Sequence, residues 1–209
     1  VTSGGRELLK WIALVLMTGD HVAKAFYGGY VPVVSEAGRI AFPLFAVVMA
    51  YNLAQPGADL SKSIRRLASW ALIAQPAHAL VFGHCLPLNV LATFTLAAVA
   101  ISFASRGNWL AFAAAVVPAP ILVDYQWAGI AMVVATWAAF GRRASWAWCA
   151  AAAAALCWYN GNAWALLALP VLALGWLSWT LPRTRWAFYG YYVGHLILLL
   201  AFSALLPGV

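Results

Sequence analysis

Asp20, His21 and Lys24 stand together near the far end of an apolar run, LLKWIALVLMTGDHVAKAF, from Leu8 to Phe26. Inside a membrane span an ionisable group costs roughly 2.5–3.5 kcal/mol, so such a trio is expected to face a protein interior or a watery cavity. On a helix Asp20 and Lys24 lie at i,i+4 and can pair across one turn, while His21 shares a face with Lys24 at i,i+3. The competing reading is an interfacial Asp–Lys pair with a bystander imidazole. The next apolar run, Ser35 to Ala54, opens with Glu36-Ala37-Gly38-Arg39 and has Pro43 four residues further on. A guanidinium keeps its charge at any ordinary pH, and Pro43 leaves the carbonyl of Arg39 without its helical donor. Arg39 is therefore either an anion or oxyanion contact beside His21, or an arginine snorkelling to the interface or paired with Glu36.

Further along, His195 lies in the last apolar run, Tyr189-Gly190-Tyr191-Tyr192-Val193-Gly194-His195-Leu196, where an unpaired imidazole is costly. A structural histidine bonded to a neighbouring helix would also explain it. Gln75, Asn89 and Thr93 can line the same cavity or simply hydrogen-bond between helices. Asp124 falls at a turn, where exposure to solvent is an adequate alternative. His78 reads as structural. His84 and Cys85 offer two metal ligands without a third, and Cys85, Cys149 and Cys157 show no paired spacing, so neither a metal site nor a disulfide framework is expected.

The elements that must hold these groups follow from composition. Of 209 residues 66% are hydrophobic and 8% charged, with 12 tryptophans and a mean hydropathy of +0.88. A soluble domain carries about a quarter of its residues as charges, so the expectation is one all-α polytopic transmembrane bundle over residues 1–209. Nine candidate spans of about 20 residues or somewhat fewer run from Leu8 to Phe26, Ser35 to Ala54, Ile64 to Phe82, Pro87 to Ala104, Trp109 to Val123, Trp127 to Phe140, Ser145 to Tyr159, Ala163 to Thr180 and Trp186 to Leu206. The fifth to seventh are short, which allows eight. Turn-forming combinations such as Gly28-Gly29, Gln55-Pro56-Gly57 and Asn160-Gly161-Asn162 separate them.

A cytoplasmic N-terminus puts Arg6, Lys10, Lys62, Arg65, Arg66, Arg106, Arg142, Arg143, Arg183 and Arg185 on one side, ten of the twelve basic residues. The C-terminus, Pro207-Gly208-Val209, then emerges on the other. The net charge of +7 is spread over these short clusters, so nucleic acid is not an expected partner and membrane lipid is. Asp20, His21, Lys24, Glu36, Arg39, His84 and Asp124 fall in the exoplasmic half or at its edge. Arg6 and Lys10 before an apolar stretch imitate a secretory signal, but Asp20 and His21 occupy the part that should be uncharged, so cleavage there is not expected. Whether Val1 is the native start is open.

Several blocks together resemble the TraX family of conjugative-transfer membrane proteins: Leu9-Lys10-Trp11-Ile12-Ala13-Leu14-Val15-Leu16-Met17 followed by Asp20-His21, Gly38-Arg39 with Pro43-Leu44-Phe45, Arg65-Arg66-Leu67, Asp124-Tyr125-Gln126-Trp127-Ala128-Gly129, and Tyr191-Tyr192 with His195-Leu196. Val193-Gly194 stand where the family pattern leads one to expect a proline near the histidine. The resemblance implies an acetyl-CoA-dependent acetylase of the bacterial inner membrane, acting on the N-terminus of a conjugative pilin, and kinship with transmembrane acyltransferases. A basic cytoplasmic edge agrees with an anionic CoA. Under that reading His21 is the general base on the acceptor amine, Asp20 orients the site with Lys24, and Arg39 stabilises the thioester oxyanion. Lys24, Gln75, Asn89, Asp124, Tyr192 and His195 are the candidates to bind substrate or cofactor. A ping-pong route through an acetylated His21 stays open beside direct transfer. So do a lipid or glycan acceptor, and a non-catalytic assembly or transport protein.

Overall fold

The computed structural model describes residues 1–184 and 186–205. Arg185 of the basic loops, Leu206 at the end of the ninth expected span and the terminal Pro207-Gly208-Val209 lie outside the described residues. Among those described there are ten α-helices and no strand: α1 Ser3–Phe26, α2 Val34–Gly38, α3 Ala41–Ala54, α4 Leu60–Phe82, α5 Val90–Ser105, α6 Trp109–Val116, α7 Gln126–Phe140, α8 Ala147–Asn160, α9 Ala168–Ala173 and α10 Ala187–Leu205. All nine apolar runs coincide with helical segments.

Three of them are interrupted. The second run breaks at Arg39-Ile40 into α2 and α3, which places Pro43 in the first turn of α3, where a missing N–H removes no helical bond. The fifth run leaves α6 for a 3-10 turn, Ala119–Leu122, once Pro118 is reached. The eighth is a 3-10 turn, Trp164–Leu167, then α9 with Pro170 inside it, then another 3-10 turn, Leu174–Trp176. Two segments, Val34–Ala54 and Ala187–Leu205, combine the length and the apolarity needed to cross a membrane. Those criteria therefore support two crossings against the nine expected. α1 and α4 are long enough, but Arg6, Glu7, Lys10, Asp20 and Lys24 on the first and Lys62, Arg65 and Arg66 on the second make them more polar.

Helix α3 is buried on most of its circumference and packs against α1 and α7, while α4 packs against both α5 and α10. Glycines permit the closest approaches. A Cβ on Gly5 would lie 2.2 Å from the Gly175 carbonyl oxygen, and one on Gly38 would lie 2.4 Å from the Cβ of Asp20. The outer face carries large apolar side chains, among them Leu72, Leu80, Leu110, Trp158 and Leu198.

Arg6, Lys10 and Arg66 stand at one end, away from Lys24. Arg6 lies over the Tyr51 ring, Lys10 over Phe188 and Arg66 over Tyr189. The start of α1 is tied down at the same end. The Thr2 amide donates to the Gly175 carbonyl at 2.9 Å, Arg183 Nε donates to Ser3 Oγ at 2.9 Å, and buried Glu7 accepts from Lys10 at 2.7 Å and from the Thr184 hydroxyl at 2.8 Å.

Candidate functional site

At the opposite end, α1 and α10 bring His21 and His195 together. His21 Nδ1 and His195 Nε2 are 2.8 Å apart, and the two rings stack at 5.1 Å with 19° between their planes. His195 Nδ1 is 3.0 Å from the Tyr191 carbonyl oxygen. A carbonyl only accepts, so Nδ1 of His195 carries the proton and its Nε2 presents a lone pair. His21 must then donate from Nδ1, which leaves its Nε2 bare of hydrogen. That nitrogen makes no hydrogen bond to the described residues, so it is the ring atom left for a substrate. A chain ending on a backbone carbonyl thus sets the tautomer of His21 through His195.

His21 lines a cavity of about 270 Å³ whose walls are Lys24 from α1, His78 and Phe82 from α4, His84 and Pro87 from the connection after α4, Asp124 from the turn before α7, and Tyr159 from α8. Three of the four histidines of the chain therefore line this one cavity, and the fourth, His195, reaches it only through its hydrogen bond to His21. Helix α4 ends on Gly83 in the left-handed region, which folds His84 back until its ring is 5.5 Å from that of His78. The His21 ring also meets the Phe82 edge at 5.1 Å and the Tyr192 ring at 6.4 Å. Among the described residues no group of three His, Cys, Asp or Glu is placed to hold a metal.

Two backbone links carry Asp124 to the cavity: the Leu88 amide donates to the Leu122 carbonyl at 2.8 Å, and the Asp124 amide donates to the Leu88 carbonyl at 2.9 Å. Thr93, expected to face the cavity, instead donates its hydroxyl to the Asp124 carbonyl at 2.6 Å. One Asp124 carboxylate oxygen accepts from the Tyr125 amide at 2.9 Å. Burial raises the pKa of this carboxyl, against the pull of Lys24 in the same cavity.

Lys24 and Asp20 form the expected i,i+4 ion pair at 2.7 Å. Asp20, however, is buried against Gly38 with its other oxygen unpartnered, and it does not line the cavity. Its reach is to Lys24 alone. Arg39 also does not line this cavity. It is the residue at which α2 ends, where its amide donates to the Glu36 carbonyl at 2.9 Å. Its charge still acts on the Asp124 carboxyl in the cavity wall, lowering that group's pKa against the effect of burial.

Gln75 and Asn89 are not in the cavity either, because their polar atoms are spent on each other and on backbone. Asn89 Nδ2 donates to the Ala71 carbonyl at 2.9 Å and to Gln75 Oε1 at 2.7 Å. Asn89 Oδ1 accepts from the Leu91 amide that opens α5, and Gln75 Nε2 donates to the Cys85 carbonyl. They latch the α4–α5 connection. His78, His84 and Tyr159 are the polar cavity residues that sequence reasoning did not assign to the site, beside the apolar Phe82 and Pro87. The signal available for the first two was their spacing across a helix-ending glycine.

A second cavity, of about 380 Å³, opens among α1, α3, α4, α5 and α10 at the basic end. Tyr192, one of its lining residues, is buried and stands beside both histidines. Tyr192 alone of the candidate binding residues belongs to this second space.

The TraX protein family model matches residues 5–203. The chain belongs to the TraX family. It is 36% identical over 116 residues to a protein of Escherichia coli named Protein TraX, and 33% identical over 112 residues to a Protein TraX of Escherichia coli strain K12. Each alignment covers 53% of this chain and 45% of the relative, so the chain matches somewhat less than half the length of these TraX proteins. No solved structure matches it.

Proposed function

We propose that this TraX-family chain is a multi-pass protein of the bacterial inner membrane that moves an acetyl group from acetyl-CoA to the N-terminal amine of a conjugative pilin. The single observation that carries this reading is the bare Nε2 of His21, fixed by His195 and facing a polar cavity. Nine helical segments with large apolar side chains on the outer face support the membrane setting, and the gathering of basic residues at one end supports a cytoplasmic position for that end.

In the reaction the neutral acceptor amine attacks the thioester carbonyl. The C–N bond forms, the amine proton passes to His21 Nε2, the C–S bond breaks, and the proton leaves on the CoA sulfur, so His21 ends neutral. His195 accepts the hydrogen bond from His21 Nδ1 and steadies the imidazolium while it exists. Asp124 offers a carboxylate for the acceptor ammonium before deprotonation, and Lys24 is kept from repelling it by its pairing with Asp20. Arg39, which does not line the cavity but acts electrostatically on Asp124, is the candidate to stabilise the thioester oxyanion.

The test is mass spectrometry of pilin from cells carrying the wild-type gene, no gene, or His21→Ala. The expected outcome is an N-terminal acetyl group only with the wild type. A pilin N-terminus that is the same in all three cultures sinks the proposal, and acetylation of a lipid or glycan hydroxyl instead would redirect it to another acceptor.

A further inference from the structure

The cavity at the basic end has no part in the reaction as derived so far, and it ends where the reaction must occur. We infer that it is the binding site for an acyl thioester with a polyanionic head and a neutral, extended arm, and that Tyr192 is the wall against which the acyl end stops. This assignment rests on the acetyl-transfer reading and locates its donor.

The rim carries Arg66 and Lys10, with Asn52 and Ser63 as neutral hydrogen-bonding groups and Asp59 as an opposing carboxylate. Lys10 is already paired with Glu7, and Asp59 caps α4 by accepting from the Lys62 amide at 2.8 Å. Arg66 has neither kind of engagement. It forms no ion pair among the described residues, its Nε is buried with no hydrogen-bond partner, and the Tyr189 ring holds the guanidinium at 5.5 Å. A fixed guanidinium with unused donors suits a phosphate group. Arg65 and Lys62 on the same helical turns add to the positive field around it.

Below the rim the lining becomes apolar, through Leu14, Met17, Phe45, Val48 and Met49. It suits a neutral arm and not a second charged group. Eleven residues of α1 separate Lys10 from His21, which at 1.5 Å per residue is about 16 Å. An arm of that length is what a head held at the rim needs to bring its thioester to the histidine. Tyr192 lines this space and its ring stands 6.4 Å from that of His21. Tyr192 is therefore the one side chain lying between the thioester end of one cavity and the base in the other, and it turns aside for the acceptor amine at His21 to meet the thioester carbonyl.

The experiment is calorimetric binding to the detergent-purified full chain carrying His21→Ala, which holds the donor without turnover. The probes are acetyl-CoA and S-acetylpantetheine, which keeps the arm and lacks the nucleotide head. Arg66→Gln is expected to weaken acetyl-CoA by roughly tenfold or more and to leave S-acetylpantetheine unchanged. Met49→Trp, which fills the apolar middle, is expected to abolish binding of both. Acetyl-CoA bound equally well by both variants overturns the cavity assignment while the role of His21 still stands. If Met49→Trp does not yield folded protein, equal weakening of both probes by Arg66→Gln overturns it, since only one carries the phosphates. Binding as expected, with pilin left unacetylated in cells, upholds the cavity and sinks the acceptor.

Discussion

His195 makes a specific demand on its replacements. His195→Phe fills the space but removes the acceptor for the His21 Nδ1 proton, so His21 is free to take the other tautomer and to turn. Acetylation of pilin is expected to fall by roughly a hundredfold or more, the scale of losing a positioned base. His195→Gln keeps an acceptor oxygen and should recover part of that loss, with single-turnover assays on both variants as the measurement. Equal activity for the two would show that the ring's bulk matters and its nitrogen does not. Asp124 gives a second prediction, this time of stability. Its pKa is raised by burial, so the folded state holds the proton more tightly than the unfolded chain. The protonated carboxyl favours folding below the unfolded pKa, and that advantage is lost as pH rises through the folded value. Asp124→Asn is therefore expected to melt higher than the wild type at neutral pH. The gap should close as the buffer is taken below pH of about 4, followed by scanning fluorimetry in detergent.

Helices meet on glycine here, and the cost of changing those contacts can be ordered. Gly38→Ala drives a methyl to 2.4 Å from Asp20, so α2 must move away or the Asp20–Lys24 pair must. The loss is expected to be about 1–3 kcal/mol. Gly190→Ala in α10 meets nothing within 4 Å and should be neutral or slightly stabilising. Melting temperatures of the two variants check the order, and a Gly38→Ala protein as stable as Gly190→Ala would contradict the packing described. The extent of the helices could be read from hydrophobic runs, since all nine recur as helical segments. Their interruptions were less legible, because Pro118 and Pro170 were not weighed as breaks. The site was legible as single residues and not as pairs. His21 and Lys24 stood out as polar groups in apolar sequence, but no spacing rule joins His21 to His195, 174 residues away. Gln75 and Asn89 looked like cavity residues because their partners are backbone groups of a connection whose path only the fold reveals.

For the molecule as a whole, the opposite placement of the histidine and basic ends predicts how it sits in a membrane. Cys85 is exposed at the histidine end, whereas Cys149 and Cys157 are partly covered. In spheroplasts a membrane-impermeant maleimide added outside is expected to label the protein, and Cys85→Ser to remove most of that label. Labelling of Cys85 only after the cells are opened would reverse the orientation. The cavity at the basic end was invisible in the sequence for a related reason. Most of its lining is ordinary apolar residues drawn from five helices, each indistinguishable from core.

The hydrogen bond between the first long helix and the last also has a bearing on synthesis. A ribosome delivers His21 early and His195 almost at the end, so a chain stopped before α10 carries the base without its partner and lacks the wall that Tyr192 supplies. Under the proposed reaction the base is complete only when the chain is, so half-made copies are expected to spend no thioester on water.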